Sequence, residues 1–226
     1  MGKNIDLTAS DGHKFSAYVA EPSGKAKGAL IVVMEIFGVN SHIKRVTDEY
    51  AGDGYLAIAP AFFDRVQRGL DVGYSQPEIE TARALMQKMK LDDALKDVEV
   101  AKKHVASAGK TGIIGYCWGG SLSFKSACNV NGLACAVAYY GGAIPTLIKE
   151  KPKCPVMFHW GETDASIPLE KAKEVAAAHK DQIHYFYPGA GHGFLKQQSG
   201  KEGANLRAAQ AAWPATIAWF KKYLES

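Results

Sequence analysis

Hydrophobic and polar positions along the chain fall into a repeating order, in which short β-branched runs alternate with longer stretches of helical period. GALIVVME (28–35) is an unbroken apolar run of strand length that ends in a carboxylate. HIKRVTDEYAGDGY (42–55) has helical spacing and stops at Gly52 and Gly54, and YLAIAPAFF (55–63) predicts a second buried strand, halted by Pro60. Residues 77–107 carry one or two helices with a break near Leu91. TGIIGY (111–116) predicts a short strand and WGGSLSFKSACNV (118–130) a helix. Strands at 134–141 and 155–161, a helix at 169–180, a strand at 182–189 and a closing helix at 202–225, with Pro214 as a point of bending, complete the series. Strands that alternate with helices of this length imply βαβ units. The expected fold is therefore α/β, a mostly parallel central sheet with helices on both faces. NIDLTAS and HKFSAYVA, at the start, alternate with period two and predict an antiparallel hairpin on the sheet edge. With no repeat, low-complexity stretch or linker, residues 1–226 read as one domain.

Composition narrows the function classes. The 226 residues are 47% hydrophobic and 22% charged, ordinary for a soluble globular protein. The net charge of +4 is spread thinly with no run of five like charges, so no nucleic-acid partner is expected. A mild positive balance is compatible with a small anionic substrate. The N-terminal MGKNIDLTASDGHKF has no apolar core, and no stretch reaches membrane-spanning length. A monomer in the cytoplasm is the expectation. Cys117, Cys128, Cys135 and Cys154 form no CxxC pair, and a chain of this size does not need disulfide staples. Reduced thiols are expected, with Cys128, Cys135 and Cys154 in the core. Nothing local has zinc-ligand spacing, so neither a metal nor a cofactor is expected.

Candidate chemistry centres on GIIGYCWGGS (112–121). Gly115-Tyr116-Cys117-Trp118-Gly119 has the form G-x-C-x-G at a strand-to-helix junction, the setting of a nucleophile elbow. There the turn is strained, glycine is needed on both sides, and the helix N-terminus favours a thiolate and a developing oxyanion. HWGETDASIP (159–168) follows a predicted strand and offers Asp164, with Glu162 two residues away as the other possible acid. YPGAGHGF (187–194) follows the last strand and offers His192 between glycines. The order nucleophile, acid, histidine is that of the α/β-hydrolase triad, and each residue falls beyond the carboxyl end of a strand, where ligands bind in such sheets. Backbone N–H groups of Trp118 and Ile36 would form the oxyanion hole. Glu35 at the end of an apolar strand is costly unless paired or exposed, and a carboxylate beside a cysteine disfavours the thiolate. Trp118, Phe37, Tyr139 and Tyr140 are aromatics that either line a pocket or fill space over a sheet edge. His159, on a buried strand, reads as a core histidine.

EIFGVN (35–40), GYCWGG (115–120), YYG (139–141), GETD (161–164) and AGHGF (190–194) resemble the dienelactone hydrolase family, the carboxymethylenebutenolidases, within the α/β-hydrolase superfamily. The likeness runs over nearly the whole chain. It implies a Cys117–Asp164–His192 triad, with Glu35 in the place of the family glutamate that contacts the resting nucleophile. It also implies opening of a carboxylate-bearing enol-lactone. The family grips that carboxylate with arginines. Lys196 stands where one of them would be, four residues past His192, and it keeps the charge but not the planar fork. Arg83 is the nearest candidate for the other, though Gln87 stands where a family tyrosine would accompany it. Substrate contacts are thus expected from Lys196, Arg83, Phe37 and Tyr139. Two other readings stay open: a broader carboxylesterase or thioesterase with the same triad, and a non-catalytic protein that uses Cys117 as a thiol sensor.

Overall fold

The computed structural model describes residues 2–195 and 203–225. Its strands are β1 (Lys3–Thr8), β2 (Lys14–Ala20), β3 (Ala29–Val33), β4 (Leu56–Pro60), β5 (Thr111–Tyr116), β6 (Leu133–Tyr139), β7 (Val156–Gly161) and β8 (Ile183–Tyr187). They form one sheet in the order β1-β2-β4-β3-β5-β6-β7-β8. β1 and β2 are the expected antiparallel hairpin at one edge, and β2 runs antiparallel to β4. Every other pairing is parallel. The apolar runs explain this layering. β3 and β5 are buried at every position, as strands covered on both faces must be, whereas edge strand β1 has no buried residue.

Helices α1 (Ser41–Gly52), α2 (Gln76–Met86), α3 (Leu91–Val105), α4 (Trp118–Asn129), α5 (Leu169–Ala178) and α6 (Gly203–Leu224) fill the connections. The break predicted near Leu91 separates α2 from α3. α2 opens with a Ser75–Glu78 capping box and Pro77 in its first turn, so its N-terminus is written locally. α6 runs through Pro214 without interruption. α1 and α6 share one face of the sheet, where Tyr50 stacks on Trp213 and meets Phe220 edge-on. α3 and α4 pack together on the other. No helix among the described residues is long and apolar enough to cross a membrane.

Beneath α6 lies a seam of buried polar groups. Tyr50 and Tyr116 share a hydrogen bond of 3.0 Å between their hydroxyls. Tyr139 and Thr216 share another of 2.6 Å, Thr216 Oγ1 lies 3.2 Å from His159 Nε2, and His159 Nδ1 lies 2.8 Å from the Tyr187 hydroxyl. This seam ties β6, β7 and β8 to α6. It lies at the carboxyl ends of β5, β6 and β8, the end of the sheet from which the chain leads into the candidate site.

Candidate active site

The sharp turn from β5 into α4 sets the site. Cys117 sits at φ 57° and ψ −116°, a region that non-glycine residues rarely adopt. Its N–H donates to the Tyr139 carbonyl at 3.0 Å, and its own carbonyl accepts from Ser121 N at 3.2 Å as the helix begins. The flanking glycines are required by space. A Cβ on Gly115 would lie 2.0 Å from the Gly119 carbonyl oxygen, and one on Gly119 would lie 2.5 Å from the Met34 carbonyl oxygen. Helix α4 therefore crosses β3 and β5 at backbone contact, and the half-buried Cys117 thiol projects at its N-terminus.

His192 and Asp164 meet this thiol. His192 Nε2 lies 3.0 Å from Cys117 Sγ, and His192 Nδ1 lies 2.8 Å from Asp164 Oδ2. The other Asp164 oxygen accepts from Ser166 N at 2.7 Å and Ile167 N at 3.2 Å, so the carboxylate is locked by its own loop. Asp164, not Glu162, is the acid in contact with the imidazole. Burial would push the His192 pKa down, but the hydrogen bonds from Asp164 and Cys117 outweigh it and raise the pKa to about 10. An imidazole held in this way between a carboxylate and a thiol is placed to take the thiol proton.

The remaining predicted residues separate into those the structure gathers at this point and those it does not. Ile36 and Trp118 both line the cleft over Cys117. The N–H of Trp118 belongs to the first turn of α4, where helices lack internal acceptors, and so is available to an oxyanion. Glu35 follows β3 and is 1% exposed, not a solvated strand end. Its charge is felt by surrounding phenols. Burial and then Glu35 push Tyr74 up to about 12. Phe37 lines the cleft, with Tyr74 packed edge-on against it at 4.7 Å.

Arg83 also lines the cleft. It is exposed and has no ion-pair partner among the described residues. Tyr139 does not reach the cleft. It is fully buried on the opposite face, stacked on His159 at 4.1 Å with its hydroxyl bonded to Thr216. Strand alternation sends its side chain under α6, so the expected substrate contact is replaced by a core role. Lys196 lies outside the described residues.

Several cleft residues escaped the sequence reading. The cleft holds about 430 Å³, and the unanticipated Ile79 and Met86 come from the same face of α2 as the expected Arg83. Their i, i+4, i+7 spacing was the available signal, but it also suits a helix that packs on the sheet. Ser121 and Ser166 join the wall from α4 and the Asp164 loop.

The dienelactone hydrolase family model matches residues 15–224. The chain belongs to the dienelactone hydrolase family. A carboxymethylenebutenolidase of Pseudomonas putida is 29% identical over 88% of this chain and 88% of its own. A candidate carboxymethylenebutenolidase of Synechocystis sp. is 31% identical over 94% of this chain and 93% of its own. The solved structure of a candidate dienelactone hydrolase from Klebsiella pneumoniae subsp. pneumoniae superposes with a TM-score of 0.81 at 27% identity, covering 99% of this chain and all of the other. The fold is thus the α/β-hydrolase fold, as the order of motifs implied. As a dienelactone hydrolase family member the chain is a hydrolase of carboxylic esters or lactones, and its substrate is a small molecule.

Proposed function

We propose that the chain opens a small enol-lactone or related ester through a Cys117–His192–Asp164 triad and a thioester intermediate. The observation that carries this reading is the continuous contact from Asp164 Oδ2 through His192 to Cys117 Sγ, at 2.8 and 3.0 Å. Sγ attacks the carbonyl carbon as its proton passes to His192 Nε2. The carbonyl oxygen becomes an oxyanion that accepts from the N–H groups of Ile36 and Trp118. Collapse expels the enolate oxygen, which takes the proton from His192. A water then gives its proton to His192 and attacks the thioester carbonyl, and the second collapse returns the proton to Cys117. Asp164 fixes the imidazole so that Nε2 faces the thiol and balances its charge. Glu35 restrains the resting thiol until substrate enters. Arg83, without an ion-pair partner among the described residues, attracts a substrate carboxylate. The reading is of a monomer, and the four free cysteines suit the reducing cytoplasm.

The apolar wall from Ile36, Phe37, Ile79, Met86 and Trp118 favours a second reading, a carboxylesterase that takes uncharged esters. Cys117→Ala tests the mechanism. The folded variant is expected to lose hydrolysis of an activated aryl ester, and wild-type enzyme quenched early in turnover is expected to carry the acyl mass on Cys117. Normal turnover by the variant would reject the triad. Comparing a dienelactone with a neutral ester of equal size separates the two substrate readings.

A further inference from the structure

Ser121 stands one turn along α4 from Cys117, about 5–6 Å further down the helix, and lines the same cleft. The loop after β6 crosses α4 at this point, so closely that a Cβ on Gly141 would lie 2.7 Å from Ser121 N. A hydroxyl inside a helix can satisfy itself on the carbonyl four residues back. Thr47 does so on Ile43 at 2.7 Å, and Thr81 on Pro77 at 2.9 Å. Ser121 Oγ instead accepts, from the N–H of Ala143 at 3.0 Å, and makes no other hydrogen bond among the described residues. A hydroxyl has one proton and two lone pairs, so this contact pins the loop and leaves the proton unused. Ser121 is 1% exposed, so bulk solvent offers that proton next to nothing. A buried donor without an acceptor costs stability, and this one sits in the cleft wall.

We propose that Ser121 determines specificity, by donating its hydroxyl proton in a hydrogen bond to an oxygen that the substrate's acyl part carries a few bonds from the reacting carbonyl. The favoured substrates are esters or lactones of oxo acids. This rests on the reading of Cys117 as nucleophile. The acyl part is bonded to Cys117 in the thioester and stays in the cleft through both half-reactions, whereas the alcohol part leaves after the first. A donor on the nucleophile's own helix, one turn away, therefore serves the acyl part. The side chains of Ile36, Phe37, Ile79 and Met86 in the same cleft have no donor to offer, and Arg83 is exposed and answers to charge. The Ala143 N–H fixes one lone pair of Ser121 Oγ and so restricts where its proton points. The site thus selects the place of the acceptor as well as its presence.

The test compares p-nitrophenyl levulinate, whose acyl chain carries a keto oxygen, with p-nitrophenyl valerate, the same chain without it. Neither acyl chain is charged, so Arg83 does not tell them apart. Each kcat/KM is divided by the rate of hydroxide hydrolysis of the same ester, which removes the difference in intrinsic reactivity. The wild-type enzyme is expected to prefer the levulinate about three- to tenfold, the factor that one neutral hydrogen bond supplies. Ser121→Ala is expected to bring that ratio close to one. Ser121→Cys, nearly equal in volume with a thiol that donates only weakly, is expected to do the same and covers the case of an alanine variant that does not fold. A wild-type ratio near one would overturn the proposal without any variant. Equal losses on both esters, so that the preference survives the substitution, are what a hydroxyl that only pins the loop would give, and would overturn it as well. Failure of the triad reading is distinguishable, because Cys117→Ala would then still cleave both esters.

Discussion

His192 and His159 are two histidines in closely similar settings with opposite properties. Each is flanked by aromatic rings, and each has a partner on both ring nitrogens. His159 meets two neutral hydroxyls, from Tyr187 and Thr216, and burial pushes its pKa down to about 3. His192 meets a carboxylate and a thiol, and its pKa is raised to about 10 in spite of burial. Burial silences an imidazole, and one well-placed carboxylate reverses the effect. The two differ in the charge of their neighbours, and His192 is also the less deeply buried.

Removing that charge is the harshest way to break the contrast. Asp164→Asn leaves His192 with a neutral partner, as His159 has. It is expected to lower kcat/KM for an activated ester by about a thousandfold or more, because the imidazole loses both its orientation and its charge balance. Steady-state kinetics on the folded variant checks this, and a loss below tenfold would mean that Asp164 is not the acid.

His159→Leu is the complementary change. It strands the Tyr187 hydroxyl and removes one Thr216 contact, so unfolding stability should fall by about 2–4 kcal/mol. Activity per folded molecule should stay close to wild type. Denaturant titration beside kinetics measures both, and a large loss of kcat at full stability would place His159 in the chemistry.

Acid and alkali sharpen the comparison further. The folded His159 pKa of about 3 lies below the ordinary 6.5, so the unfolded chain binds its proton first as the pH falls. Stability should therefore drop between pH 6.5 and about 3, with this residue contributing about 1.4 kcal/mol per pH unit. His192 has the opposite sign. Its folded pKa of about 10 exceeds 6.5, so its contribution is complete below pH 6.5 and is lost as the pH rises through 10. Denaturation from pH 4 to 7 should show a shallower acid slope in His159→Leu than in wild type, and equal slopes would contradict the assignment.

The smallest effect concerns Arg83. Exposed on α2, it should contribute only the modest attraction of a solvated ion pair. Arg83→Met is expected to raise KM for an anionic ester about two- to fivefold, less so in high salt, with no change for a neutral ester of the same size. Equal changes on both substrates would favour the uncharged-ester reading.

The elbow was legible because space alone demands glycine at 115 and 119, and a spatial demand leaves its mark at fixed positions in the chain. The break between α2 and α3 and the edge hairpin were legible from period and punctuation. Choosing between Asp164 and Glu162 needed the distance to His192, because both follow the same strand. Of the pair Tyr139-Tyr140, the sequence assigns Tyr139 to the substrate and reads Tyr140 only as an aromatic. Consecutive strand residues point to opposite faces, and nothing local says which face carries the site. β6 ends at Tyr139, and the φ of 38° then turns Tyr140 toward His192. The α2 wall was missed for a related reason. Ile79 and Met86 have the period of an amphipathic helix, but the period does not say whether the apolar stripe meets a sheet or overlooks a cleft.

The separation of 75 residues between Cys117 and His192 has a consequence for synthesis. At ribosomal speed that stretch takes about 4–15 seconds to emerge. β7, with Asp164 just beyond it, and then β8, with His192 just beyond it, join the growing sheet in turn, so the sulfur leaves the ribosome well before the base that would make it reactive. Throughout that interval the nascent chain carries a thiol without its imidazole partner, which arrives only with β8 and the loop beyond it.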